Sequence, residues 1–132
     1  MEGEFTHSIL IIDDEQEFAD LISRILESDG YSTLVASTGQ EGVKLAKLHH
    51  PSLVITDFFL PGVSGGTVIR QLKRDRDTAS IPILLMSGSD PSAFAGIHAD
   101  GFLAKPFSMS ALRDAVRSLT TAPLHLEQAA VA

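Results

Sequence analysis

The segment Pro51–Asp57, with the sequence PSLVITD, indicates the fold of this chain. Its centre, Leu53-Val54-Ile55, is a short apolar run that contains β-branched residues. Such a run is typical of a strand that is buried on both faces of a parallel sheet. The run ends abruptly at the carboxylate of Asp57, and Leu60-Pro61-Gly62 then turns the chain. Because open α/β sheets bind ligands beyond the carboxyl ends of their strands, Asp57 is the first candidate functional residue.

Three further apolar runs of strand length are followed by polar residues that suit the same kind of site. They are Ile9–Ile12 followed by Asp13 and Asp14, Ile83–Met86 followed by Ser87, and Phe102–Ala104 followed by Lys105. Parallel strands bring their carboxyl ends to one edge of a sheet. We therefore expect three carboxylates, a hydroxyl and an amine to meet at that edge.

Segments with helical periodicity separate these strands, and Tyr31–Ala36 supplies a further strand. Thr38 and Glu41 fit a capping box at the start of one helix. The predicted helices are Gln16–Ser28, Thr38–Leu48, Gly65–Arg74, a short Pro91–Ile97, and a last helix from Ser108 to about residue 120. Strands that alternate with helices predict an α/β fold, a doubly wound five-stranded parallel sheet with helices on both faces.

The composition is that of one globular domain, with 132 residues of which 44% are hydrophobic and 20% charged. We interpret residues 1–7 as a flexible lead-in, 8–120 as the domain, and 121–132 as a C-terminal tail or the start of a linker. The net charge of −7 argues against nucleic-acid binding, because phosphate contacts need clustered Lys and Arg. The chain lacks cysteine, a signal-peptide pattern and any apolar run of bilayer length, which predicts a cytoplasmic protein with no membrane partner.

The acidic residues indicate the chemistry of the predicted site. Asp13, Asp14 and Asp57 repel one another, so they can share a site most easily around a hard divalent cation such as Mg²⁺, which prefers oxygen ligands. One carboxylate can then act as a nucleophile, while Lys105 and Ser87 bind the oxygens of an incoming phosphoryl group. Each residue alone has an ordinary explanation as a helix cap, a loop hydroxyl or a solvated charge. Their combination at four strand ends favours a functional site.

The ordered set Asp13-Asp14, Asp57 followed by Leu60–Gly65, Ser87-Gly88 and Lys105–Phe107 resembles the receiver domain of bacterial two-component response regulators. The resemblance covers about residues 8–120. It implies a flavodoxin-like (βα)5 fold and a phosphoryl group transferred to Asp57 by a histidine kinase or a phosphohistidine transfer protein, with Mg²⁺. It also implies a regulatory protein that phosphorylates and slowly dephosphorylates itself and is not an enzyme in the ordinary sense.

The resemblance further implies a role for each matching residue. Asp57 is the phospho-acceptor, Ser87 and Lys105 bind the phosphoryl oxygens, and Ser87 and Phe102 form the conformational switch. The implied Mg²⁺ ligands are Asp13, Asp14, Asp57 and the backbone carbonyl of Phe59. The Lys105–Pro106 peptide bond is expected to be cis. A downstream protein is expected to bind the face formed by the fourth helix, the fifth strand and the fifth helix.

The chain departs from the family pattern between Ser87 and Lys105, where it is shorter by about four residues, or roughly one helical turn. We therefore expect a shortened fourth helix. Two other functions stay open. A pseudo-receiver would bind proteins without being phosphorylated, and a phosphohydrolase with an aspartate nucleophile would need a second acid at position 59, which is Phe59 here.

Overall fold

The structure, a computed structural model, describes residues 7–89 and 96–131, with side chains described as far as residue 120. Strands and helices alternate along this part of the chain. The strands are β1 (Ser8–Ile12), β2 (Ser32–Ala36), β3 (Leu53–Asp57), β4 (Ile83–Ser87) and β5 (Gly101–Ala104). The helices are α1 (Gln16–Ser28), α2 (Gly39–His49), α3 (Gly65–Arg74) and α4 (Met109–Val131).

The five strands form one parallel sheet in the order β2-β1-β3-β4-β5. This confirms the predicted α/β fold with a five-stranded parallel sheet. The central strand β3 lies between β1 and β4, with Ile11 opposite Ile55 and Asp57 opposite Met86. That register places the carboxyl ends of β1, β3 and β4 side by side at one edge of the sheet.

Two hydrophobic cores cover the two faces of the sheet, because alternate residues of each buried strand point to opposite sides. Helices α1 and α4 pack on one face and helices α2 and α3 on the other. The first core includes Ile9, Ile11, Ile55 and Met86 with Ile22, Leu26, Leu112 and Val116. The second includes Leu10, Ile12, Val54 and Leu85 with Val43, Val68, Ile69 and Leu72. Both faces of the central strands are therefore dry.

Side-chain caps fix where three of the helices begin. The Oγ1 of Thr38 accepts a hydrogen bond from the amide of Glu41 at 3.1 Å. Ser64 caps α3 through the amide of Thr67 at 3.2 Å, and Ser108 caps α4 through the amide of Ala111 at 3.0 Å. Each cap satisfies an amide that has no partner within its helix.

Two helix predictions differ from the structure. The last helix extends to Val131 and not to about residue 120, since the residues after Pro123 are mostly strong helix formers such as Ala, Leu, Glu and Gln. In the predicted short helix Pro91–Ile97, residues 91–95 lie outside the described part of the chain. Gly96 is in a turn with a φ of 89°, and Ile97 has no helical structure, so a helix there does not extend that far.

No helix within the described residues is long and apolar enough to cross a membrane.

Gly65 allows the β3–α3 connection to fold back closely onto the end of β3. Its amide donates a hydrogen bond to the carbonyl oxygen of Phe58 at 2.7 Å. A Cβ atom at this position would collide with the carbonyl oxygen of Asp57 and would lie 2.8 Å from the Cα of Phe58. Both neighbours are backbone atoms, so they cannot move aside without displacing the end of β3.

We expect Gly65→Ala to lower the free energy of unfolding by about 1–3 kcal/mol, the usual cost of overpacking. Urea unfolding of the purified chain measures this change. Gly88→Ala is the matched control, because the nearest neighbour of a Cβ there is the carbonyl oxygen of Lys105 at 4.0 Å. Equal stability of the two variants would contradict the steric explanation.

Candidate functional site: a carboxylate cluster at the ends of the strands

Three aspartates meet at the carboxyl edge of the sheet. Asp13 and Asp14 directly follow β1, and Asp57 is the last residue of β3. Their carboxylate oxygens include a set in which one atom from each residue lies within 4.8 Å of the others. The buried apolar strands that precede them hold the three backbones in place. The predicted acidic cluster therefore forms.

Asp13 is the buried member of the cluster, with 1% of its surface exposed. Its amide donates to the carbonyl oxygen of Ala36 at 3.0 Å, and its Oδ1 accepts from the amide of Glu15 at 2.9 Å. Its Oδ2 has no hydrogen-bond partner. Burial raises the pKa of Asp13 above its ordinary value, although the Glu15 amide and Lys105 act in the opposite direction.

Lys105 places its ammonium group between two of the carboxylates. Its Nζ lies 3.3 Å from Oδ2 of Asp57 and 3.6 Å from Oδ2 of Asp13. The amide of Lys105 donates to the carbonyl oxygen of Ser87 at 2.9 Å, which joins this residue to the end of β4. The peptide bond from Lys105 to Pro106 is cis. One ammonium therefore faces three carboxylates and leaves an excess of negative charge.

The remaining predicted site residues lie on neighbouring elements. Ser87 is fully buried at the end of β4, and its Oγ accepts a hydrogen bond from the amide of Ser89 at 3.1 Å. Phe102 lies on β5 opposite Leu85 and packs, half-buried, against the core beneath α2 and α3. Phe59 follows β3 by two residues, with 63% of its surface exposed. The structure therefore brings Lys105 into the acidic cluster, and places Ser87 and Phe102 on the two strands beyond it.

Sequence reasoning did not identify Phe18 as part of this site. Its position on the apolar stripe of α1 suggests a core residue, yet the Nζ of Lys105 lies 4.5 Å from the centre of its ring. Phe107 contacts the same ring, with 5.8 Å between ring centres and a tilt of 59°. No sequence signal separates such an aromatic residue from its core neighbours, because its spacing is that of any amphipathic helix.

The donor set fits a hard divalent cation. Asp13, Asp14 and Asp57 offer carboxylate oxygens, the ligands that Mg²⁺ prefers. The buried Oδ2 of Asp13 lacks the hydrogen-bond partner that a buried polar atom normally has, and a cation would satisfy it. The excess negative charge of the cluster also favours the binding of a cation. The site is therefore suited to bind Mg²⁺.

Comparisons with known proteins agree with this geometry. The family model of the response regulator receiver domain matches residues 9–117. The DNA-binding dual master transcriptional regulator RpaA of Synechocystis sp. is 39% identical over 126 residues, which cover 92% of this chain and 52% of RpaA. The polar-differentiation response regulator DivK of Brucella ovis is 30% identical over 118 residues, which cover 86% of this chain and 95% of DivK. The chain thus spans about half the length of RpaA and nearly all of DivK.

Among solved structures, the chain is similar to the signal receiver domain of a signal transduction histidine kinase from Syntrophus aciditrophicus. The two share 32% sequence identity and a TM-score of 0.83, over 89% of this chain and 92% of the other. The likeness therefore covers the whole layered fold.

Replacing Asp13 with Asn removes a buried charge that burial and two neighbouring carboxylates disfavour. Without divalent cations at neutral pH, we expect Asp13→Asn to raise the free energy of unfolding by about 1 kcal/mol, the lower end of the gain when buried ionic groups are replaced by neutral ones of similar volume. Because the native pKa is raised, ionisation opposes folding above that pKa. This penalty disappears as the pH falls below 3.8, the ordinary value expected in the unfolded chain. Urea unfolding across the acidic and neutral range measures it.

Glu17→Gln removes the same charge from an exposed position in the first turn of α1 and is the control. Its effect should stay within about 0.5 kcal/mol. Added Mg²⁺ should raise the thermal midpoint of the unmodified chain more than that of Asp13→Asn, because a ligand that binds only the native state stabilises it. A variant that is less stable than the parent at neutral pH without Mg²⁺ would count against the explanation.

Proposed function

Because this chain belongs to the response regulator receiver domain family, as its sequence motifs predicted, we propose that Asp57 is the residue that accepts the phosphoryl group. The observation that carries this assignment is the position of Lys105, whose ammonium lies within 4 Å of both Asp57 and the buried Asp13. Asp57 ends the central strand and keeps 14% of its side chain exposed, so a donor can reach it from solvent.

Transfer of the phosphoryl group to Asp57 forms a phosphorus–oxygen bond and breaks a phosphorus–nitrogen bond. A carboxylate oxygen of Asp57 attacks the phosphorus of a phosphohistidine, the phosphorus–nitrogen bond breaks, and an aspartyl phosphate forms. Bound Mg²⁺ would supply charge neutralisation for the phosphoryl oxygens, held by Asp13, Asp14, Asp57 and the backbone carbonyl of Phe59. The ammonium of Lys105 already pairs with the carboxylate of Asp57. It would therefore be near a phosphoryl group on Asp57 and could pair with one of its oxygens.

We propose that Ser87 and Phe102 read the phosphorylation state. The phosphoryl group adds roughly two negative charges at the strand ends, and a nearby hydroxyl can donate a hydrogen bond to it. Ser87 now holds the amide of Ser89, so its Oγ would exchange this partner for a phosphoryl oxygen. Phe102 is half-buried on the adjacent strand and packs against the core that contains Leu85, so a movement of Ser87 would change its surroundings.

Receiver domains exchange phosphoryl groups with histidine kinases and pass the signal to downstream targets. For this chain we propose a histidine kinase or a phosphohistidine transfer protein as donor. The downstream surface predicted from the sequence includes β5 and α4 in the described residues, and of its predicted fourth helix, Pro91–Ile97, residues 91–95 lie outside them. RpaA is a DNA-binding regulator, but this chain spans about half of it. DNA binding by RpaA is therefore not assigned to this chain. The cytoplasmic location stays a prediction.

The phosphohydrolase alternative is disfavoured by Phe59. A second acid two residues after the nucleophile would protonate the leaving group, and an exposed phenyl ring stands there. A pseudo-receiver would have no need of a buried carboxylate oxygen without a hydrogen-bond partner, which is costly to keep.

Phosphorylation with a small donor such as phosphoramidate tests the assignment of Asp57. Only when Mg²⁺ is present, we expect the chain to gain one phosphoryl group that base and hydroxylamine remove, as expected of an acyl phosphate. Asp57→Asn should abolish labelling, because the amide is not a nucleophile. Lys105→Ala should slow it by about 100-fold, the scale of one lost electrostatic contact in the transition state. Intact-protein mass spectrometry measures the label.

Asp77→Asn is the matched control, since it removes an exposed aspartate that lies outside the cluster. It should be labelled at the parent rate. Labelling that persists in Asp57→Asn would reject this acceptor. Steady turnover of a phosphate ester at the same site would favour the phosphohydrolase, and a chain that takes no label with Mg²⁺ would favour the pseudo-receiver.

A further inference from the structure

We propose that Phe18 is a positioning residue for Lys105. The Nζ of Lys105 lies 4.5 Å from the centre of the Phe18 ring, within the range of a cation–π contact. The same ammonium pairs with Asp57 at 3.3 Å and with Asp13 at 3.6 Å. Three groups from three different elements therefore hold one cation. This inference rests on the proposed phosphoryl-accepting function of Asp57.

The ring of Phe18 suits this task because it attracts a cation without accepting a strong hydrogen bond from it. A carboxylate in the same place would hold the ammonium more tightly and would compete with the phosphoryl group. Among the described residues, the ion pairs of Lys105 are formed with Asp13 and Asp57. The ring therefore steadies the charged end of Lys105 and leaves its hydrogen-bond donors for the reacting oxygens.

The surroundings of Lys105 explain why its ammonium needs such a support. Its side chain is 24% exposed and lines a groove of about 340 Å³ together with Glu15, Phe18, Pro106 and Phe107. An extended lysine can turn into this groove and become hydrated. It can also turn toward the carboxylate of Glu15. The phenyl ring on the wall of the groove favours the position near Asp57 over these alternatives.

Phe107 packs against the ring of Phe18 and supports it. Their ring centres lie 5.8 Å apart at 59°, a tilted arrangement that aromatic pairs favour. Both rings are half-buried and pack against the core formed with α1 and α4. Phe107 follows Lys105 by two residues, so the segment that carries the cation also carries part of its support.

Phe18→Leu tests the proposal because it keeps an apolar side chain of similar size and removes the ring. We expect the maximal rate of Asp57 labelling by phosphoramidate with Mg²⁺ to fall about fivefold, the scale of one partly exposed cation–π contact. Phe18→Tyr keeps the ring and should keep the rate. Urea unfolding of Phe18→Leu and Phe18→Tyr measures whether a slower rate reflects a loss of stability. Leu21→Ala, on the same helix, is measured in the same way as a control.

A double-variant cycle shows whether Phe18 acts through Lys105. In a Lys105→Met background, Phe18→Leu should change the labelling rate less than twofold, because there is no ammonium left to position. A fivefold loss in that background would overturn the proposal. So would a Phe18→Tyr variant that is as slow as Phe18→Leu but as stable as the parent.

A second readout needs neither Mg²⁺ nor a donor. The Cε of Lys105 is bonded to the Nζ that lies 4.5 Å from the ring centre, so its protons should resonate upfield of those of the other lysines, Lys44, Lys47 and Lys73. Phe18→Leu should remove this shift and Phe18→Tyr should retain it, as seen in a proton–carbon correlation spectrum. An unshifted Lys105 in the parent chain rejects the proposal. If the shift is present but the parent takes no label, the proposed function fails and the contact stands.

Discussion

The unequal charge at the carboxyl edge of the sheet is the constraint on which the rest of the site depends. Three aspartates face one ammonium, and the most buried carboxylate has an oxygen without a hydrogen-bond partner. Such an arrangement is unfavourable in a fold that has no use for it. A bound divalent cation would make it favourable, because the charge of the cation compensates the negative charge that one ammonium leaves in excess.

The sheet can hold these repelling carboxylates together because the strands that carry them are buried on both faces. β1, β3 and β4 are covered on both faces by helices, and their registers set the spacing of Asp13, Asp57 and Ser87. The connection that leaves β3 packs closely against the end of that strand, as the contact of Gly65 shows. The acidic cluster is thus held by apolar packing and by backbone hydrogen bonds. Its own side chains mainly repel one another.

Lys105 links the charge cluster to the remaining elements. Its amide is tied to β4, its ammonium reaches β1 and β3, and its charged end rests on a ring from α1. A change in the charge at Asp57 therefore acts on a residue that already contacts four elements. This is a physical route by which one phosphoryl group can bias a two-state equilibrium.

The sequence by itself determined the alternation of strands and helices, since apolar runs of strand length and helical periodicity are local patterns. It also determined the acidic residues, the serine and the lysine as a set, because strand ends of a parallel sheet share one edge. Only the tertiary structure decided that Oδ2 of Asp13 is left without a hydrogen-bond partner and that Phe18 supports Lys105. Burial and contacts between distant residues depend on how the layers pack, and no local spacing in the chain encodes them.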